Sequence, residues 1–531
     1  MITRTTLFAL GTALVLAPSN AVAQSAPAAG SRASSSFTDP QRLAKLGTAF
    51  PEIDRLVRDF AERTKVPGLA YGIVVDGRLA HVGTAGYREL SSRSPVDTST
   101  VFRIASMTKS FTALAILQLR DEGRLALDDP AERYVPELAG LKYPTTDSPK
   151  ITIRDLLSHS GGFPEDNPWG DRQLAISDDE MSRLMRGGIP FSTSPGTTYE
   201  YSNYGFAILG RIVANVSGVP YPRYITERVL KPLGMNVTTL EVASVPRERL
   251  AHGYRWQDDR WLEEEQLPDG AFGAMGGMLT SISDLGRWVG FMLDAWPPRD
   301  AAERGPVRRA SVREMQQVVR YSGAFAVRDT AAGTVLLSAG GYGYGLGVRQ
   351  TCLFGSSVSH TGGLPGFGSI MRWLPEYGVG IVALGNVTYT SWGRVTDQAL
   401  ELLAGTGALV PRAPQPSPAL VEARDQVSRL VARWDDALAD SIAAMNLYLD
   451  ESKERRRAAI DRVRVQAGDS CRDEGPFYAE NALRGRWRMR CSKGDLRVAI
   501  TLAPTVPAKV QLLSVTSLAR DESLAPAPAC R

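Results

Sequence analysis

Residues 102–119, FRIASMTKSFTALAILQL, are apolar on nearly every side from Met107 onward. A helix of that composition has no face to offer to water, so it is predicted in the middle of a domain with other elements packed around it. Ser106 falls in its first turn, and Lys109 follows three residues later on the same face. The lysine amine is therefore held one turn above the serine hydroxyl. Burial lowers a lysine pKa from about 10.4 and can leave a neutral base near physiological pH, which is what a serine nucleophile needs. The helix N-terminus adds N–H groups and positive partial charge where an oxyanion would form. No other Ser-x-x-Lys occurs in the chain.

The 531 residues, 43% of them hydrophobic, are enough for more than one core. A net charge of +4 spread over that length gives no electrostatic case for nucleic acid or membrane partners. Residues 1–23 read as a secretory signal peptide, with Arg4, an apolar stretch at 7–17 and Ala21-Val22-Ala23 before the cleavage point. The expected location is periplasmic or secreted, with no transmembrane anchor once the peptide is removed. In an oxidising compartment the four cysteines, Cys352, Cys471, Cys491 and Cys530, can pair, and Cys471 with Cys491 is the expected local bridge.

Along the chain, residues 24–36 form an Ala/Ser/Gly/Pro spacer and residues 37–405 a main domain. Helical spacing at 41–64 is followed by strand-like runs at 69–75 and 79–85 joined by Asp76-Gly77, a strong hairpin signal. Residues 152–157 read as a short helix ending at His159, which beside Gly161-Gly162 reads as a turn residue. Residues 242–269 resist assignment. Ser281 and Asp284 have capping-box spacing ahead of a helix. The Gly-Tyr alternation at 341–347 lacks the following helix start that a dinucleotide site requires. A Pro-rich linker at 406–419 precedes a small α+β domain at 420–531, with helices at 427–438 and 447–463 and strands near 487–491, 496–502 and 510–518.

Two further clusters carry chemistry. Tyr201-Ser202-Asn203 precedes an apolar helical run at 206–216, where the bland reading is a packed tyrosine and an Asn helix cap. A phenol becomes a useful proton carrier if a cation such as Lys109 lowers its pKa from about 10. His360-Thr361-Gly362-Gly363 leads into strand-like runs at 369–374 and 379–384, and its glycines expose backbone N–H groups where no side chain intrudes. There is no G-x-S-x-G elbow and no H-E-x-x-H, and four well-separated histidines do not suit zinc.

Ser106-x-x-Lys109, then Tyr201-Ser202-Asn203, then His360-Thr361-Gly362 resemble the serine penicillin-recognising hydrolases of the class C β-lactamase and D-alanyl-D-alanine carboxypeptidase type. The resemblance runs from about residue 50 to 403. It implies an α/β (α+β) fold, an antiparallel sheet flanked by helices with a helical cluster beside it. It makes Ser106 the nucleophile, Lys109 its activating partner and Tyr201 the general base and acid, with Asn203 a positioning residue. His360 and Thr361 should line the substrate side, Gly362 should belong to the same strand edge, and the N–H groups of Ser106 and Gly363 should form an oxyanion hole. The implied activity is acyl-serine hydrolysis of an amide or ester, on a small-molecule or peptide substrate that peptidoglycan could supply, without cofactor or metal. Most β-lactamases of this type carry lysine at the position of His360, so a D-Ala-D-Ala peptidase-like enzyme is expected, with esterase or β-lactamase as alternatives. A non-catalytic penicillin-binding or peptidoglycan-sensing module is the reading from another class.

Overall fold

The computed structural model describes residues 35–329, 334–468, 470–475 and 477–525. The expected signal peptide, nearly all of the spacer, and Cys530 lie outside those residues. The apolar helix forms as Thr108–Asp121 behind a tight turn at Ala105–Met107, and every residue from Thr108 to Leu119 is buried.

It is enclosed by helices and by a nine-stranded antiparallel sheet. In spatial order the strands are Ser94–Pro95, Arg78–Glu89, Gly68–Val75, Val379–Gly385, Phe367–Leu374, Gly355–Leu364, Gly347–Thr351, Thr334–Tyr342 and Arg320–Asp329. The two ends of the main domain thus meet at the sheet's centre, with Ile73 opposite Ile381. Strand alternation divides the apolar residues between two cores. Ala70, Val74, Met371, Trp373, Val382 and Leu384 face the Ser106 helix, while Leu69, Tyr71, Ile73, Ile370, Ile381 and Ala383 face the helices Phe50–Arg63 and Gly393–Gly405. The Asp76-Gly77 turn has positive φ at both residues, 50° and 79°, as a two-residue hairpin of this kind requires.

The unassigned stretch contains a second hairpin, Gly253–Gln257 with Arg260–Glu264, turning at Asp258 and Asp259. Ser281 does cap Ile282–Asp294, accepting from the Asp284 amide. In the C-terminal part, helices Pro418–Ala432, Asp436–Ile442 and Lys453–Ala467 and a five-stranded sheet share their own apolar cluster around Trp487, Leu496, Val498 and Ile500. The helix expected at 447–463 starts later, because the Ser452 hydroxyl caps it, and runs on to Ala467. Cys471 and Cys491 are bonded, as their spacing led us to expect. Among the described residues no helix is long and apolar enough to cross a membrane, and no cluster of side chains could hold a metal ion.

Candidate active site

The turn that presents Ser106 is strained. Ala105 adopts φ 49°, a left-handed conformation unusual for a residue with a side chain, and it is fixed from several directions. The Ser369 hydroxyl donates to the Ile104 carbonyl at 2.9 Å, and Thr108 Oγ1 donates to the Ala105 carbonyl at 2.7 Å. The buried guanidinium of Arg103 ties the preceding strand to the carbonyls of Gly277 and Leu267.

Lys109 is fully buried. Its ammonium group has three donors, and all three are used: to Ser106 Oγ at 3.0 Å, Asn203 Oδ1 at 2.7 Å and the Met275 carbonyl at 2.8 Å. Loss of water lowers its pKa to about 7, while the nearby carboxylates Asp171 and Asp166 oppose that fall. In the neutral form two N–H groups remain for Asn203 Oδ1 and the Met275 carbonyl, and the lone pair can accept from the Ser106 hydroxyl. Asn203 is itself held, donating from Nδ2 to Asn167 Oδ1 at 3.0 Å. The helix cap is Ser202 and not Asn203, with the Asp166 carboxylate accepting from the Asn203 and Tyr204 amides at 2.6 and 2.8 Å.

The Tyr201 ring lies beside the amine, with Lys109 Nζ 4.9 Å from the ring centre. The expected lowering of this phenol by Lys109 does not occur. Burial drives the Tyr201 pKa well above its ordinary value, and only a hydrogen bond with Ser106 opposes that. Tyr201 is thus a protonated phenol that can give a proton, and Lys109 is the group placed to take one. His159 backs the phenol with ring centres 4.2 Å apart. Its Nδ1 accepts from the Ser202 amide at 3.1 Å and its carbonyl from the Glu200 amide at 2.8 Å, in the positive-φ turn position read from its Gly-Gly neighbours.

On the facing wall, the strand Gly347–Thr351 begins opposite Ser359, so His360 to Leu364 is paired only with the strand Phe367–Leu374. The other edge of that segment borders the cleft. A side chain at Gly362 would place its Cβ 2.0 Å from the Ile104 carbonyl oxygen, so only glycine lets the strand lie against the Ser106 turn. Both nitrogens of His360 are committed within the protein. Nε2 accepts from the Tyr342 hydroxyl at 2.7 Å, which leaves Nδ1–H to donate to the Thr361 carbonyl at 2.6 Å. Burial, helped by the charge of Lys109, lowers the His360 pKa to about 3, so the imidazole is neutral.

Ser106, Tyr201, His360, Thr361, Gly362 and Gly363 line one cleft of about 860 Å³, with Lys109 and Asn203 buried directly behind it. All eight candidates from the sequence come together. Sequence reasoning missed the Met275 carbonyl, Tyr342, Asp166, Asp171 and Tyr389. The glycine run around Met275 was a signal for a close backbone approach, and Tyr342 lies in the Gly-Tyr alternation considered only as a dinucleotide loop, whereas Asp166, Asp171 and Tyr389 carry no local pattern.

An antiparallel sheet against a helical cluster, with a serine and a buried lysine at their junction, is the fold of the β-lactamase and penicillin-binding class. The chain belongs to the Beta-lactamase family, whose family model matches residues 53–406. It is 31% identical over 249 residues to Protein flp of Staphylococcus aureus (strain MW2), matching 46% of this chain and 49% of that one. The chain thus spans about half the length of those curated staphylococcal relatives. It is also 26% identical over 380 residues to a Beta-lactamase of Escherichia coli (strain K12), covering 70% of this chain and 95% of that protein. The octameric penicillin-binding protein homologue from Pyrococcus abyssi has the same fold, with TM-score 0.57 and 22% identity over 88% of this chain and 95% of that one.

Proposed function

We propose that this protein is an exported serine hydrolase that works through an acyl-serine on amide or ester bonds, of the D-Ala-D-Ala peptidase-like kind. The observation that carries the reading is the Lys109 amine, buried with Ser106, Asn203 and Met275 as its hydrogen-bond partners among the described residues and brought to about 7. Such a group is expensive to keep in a core and has a use as a base.

In this reading the neutral Lys109 amine takes the Ser106 proton across 3.0 Å as Oγ attacks the substrate carbonyl. The oxyanion lies between the N–H groups of Ser106 and Gly363 at the N-terminus of the buried helix. Tyr201 gives its proton to the leaving group, and the Lys109 N–H that is freed from Ser106 Oγ once that oxygen is acylated returns a proton to the phenolate. Water then releases the acyl group by the same route in reverse. In the same reading the chemistry is assigned to residues 37–405, and the C-terminal part, from residue 420, is given an accessory role with no step of the reaction.

The commitment of both His360 nitrogens supports a second reading within the same chemistry. A histidine without a free donor cannot grip a substrate carboxylate, which favours an ester or an uncharged amide over a β-lactam or a peptide C-terminus. The test is the intact mass of the protein after mixing with a penicillin and, separately, with a fluorophosphonate, with Ser106→Ala as control. A lasting penicillin adduct on Ser106 supports the peptidase, and fluorophosphonate labelling with intact penicillin supports the esterase. Absence of both labels sinks the proposal.

A further inference from the structure

Tyr389 stands on the cleft rim in a conformation that needs explaining. It lies just beyond the central strand Val379–Gly385 with φ 53°, and bulky residues avoid that region because of the strain it costs. The loop is pinned there by the Tyr389 amide, which donates to the Phe367 carbonyl at 3.1 Å, and by the Thr388 amide, which donates to the Tyr254 carbonyl at 2.8 Å. The strain aims the ring over the strand edge that faces Ser106. A Cβ at Gly363 would lie 2.5 Å from Tyr389 Cδ1, so the ring rests directly on that glycine. At its far end the hydroxyl donates to Asp171 Oδ2 at 2.9 Å. Tyr389 is 47% exposed while Asp171 is 3% exposed, so an exposed side chain is tethered to a buried group on the opposite wall. Both residues line the cleft.

We propose that Tyr389, strapped across the cleft by its bond to Asp171, determines how large an acyl group the enzyme accepts. The inference rests on Ser106 being the nucleophile and deepens that reading by naming what limits the substrate. With the reacting carbonyl between Ser106 and Gly363, two groups must leave it in different directions. The leaving group goes toward Tyr201, which clusters with His159, Tyr342 and His360 at ring distances of 4.2, 6.5 and 6.3 Å. The acyl chain is left to run along Gly363, where it meets the Tyr389 ring. Short acyl groups stop before the strap, and long ones must displace it.

The experiment compares p-nitrophenyl acetate with p-nitrophenyl hexanoate in the wild type, Tyr389→Ala and Tyr389→Phe. The ratio of kcat/KM for hexanoate over acetate should rise about tenfold in Tyr389→Ala, roughly what burying two further methylenes is worth, and the change should lie in KM. Tyr389→Phe keeps the ring but cuts the tether, and should raise the ratio about threefold. A ratio in Tyr389→Ala within twofold of wild type overturns the proposal. Should that variant fail to fold, the ratio in Tyr389→Phe decides in the same way. To separate this from the nucleophile assignment, calorimetry in a Ser106→Ala background measures hexanoate binding with no chemistry. Adding Tyr389→Ala there should tighten Kd for the hexanoate ester about tenfold, and an unchanged Kd refutes the strap even where Ser106 labels normally.

Discussion

Gly362→Ala puts the contact between the His360 strand and the Ser106 turn to a quantitative test. The added Cβ would lie 2.0 Å from the Ile104 carbonyl oxygen and 2.4 Å from Ser369 Oγ, where real contacts of this kind are never under 3.0 Å. The strand and the turn must therefore part by about 1 Å, and the obstacle is backbone, which cannot rotate away. The movement carries Gly363 away from Ser106, so the oxyanion would lose one donor or meet it out of line. A 1 Å error in such a site costs about 100-fold in rate, and loss of an oxyanion donor about 100- to 1,000-fold. The assay is steady-state hydrolysis of p-nitrophenyl acetate with a thermal melt on the same sample. We expect kcat and kcat/KM to fall together by about 100-fold, because the lost interaction belongs to the transition state. Stability should fall by about 1–3 kcal/mol from the overpacking. A folded Gly362→Ala protein within threefold of wild-type kcat would refute the idea that this approach builds the oxyanion site.

If Lys109 accepts the Ser106 proton in its neutral form, kcat/KM for acylation falls about tenfold per pH unit below about 7, because the active species is the deprotonated one. Asp171→Asn removes a negative charge that favours the ammonium, so this limb should move to lower pH, and a shift to higher pH would contradict the assignment. Lys109→Met should cost at least about 1,000-fold in kcat while fluorophosphonate labelling of Ser106 slows in proportion, measured by gel fluorescence over time. Opening the Cys471–Cys491 bridge, which closes a separation of 20 residues, should cost the C-terminal part about 3 kcal/mol, read from denaturant melts of Cys471→Ala/Cys491→Ala.

The site was legible in the sequence wherever a side chain's role follows from spacing on one element. Ser106 and Lys109 share a helix face by periodicity alone, and Asp76-Gly77 announces its hairpin, so neither needs the rest of the molecule. The partners that arrive from elsewhere were not legible. The Met275 oxygen is a backbone atom 166 residues from Lys109, and Asp171 and Tyr389 meet across 218 residues with no motif around either. The error about Tyr201 has the same origin. A neighbouring lysine was visible in the sequence, whereas complete burial, which outweighs it, is a property of the packed structure.

The three bonds of Lys109 go to the turn that leads into its own helix, to the Tyr201–Asn203 segment and to a main-chain carbonyl that no side-chain replacement can delete. The rim of the cleft, by contrast, includes exposed side chains such as Tyr389, on the loop beyond the central strand. A change of side chain there leaves all three partners of the buried amine in place, so the shape of the opening and the contacts of Lys109 can vary separately.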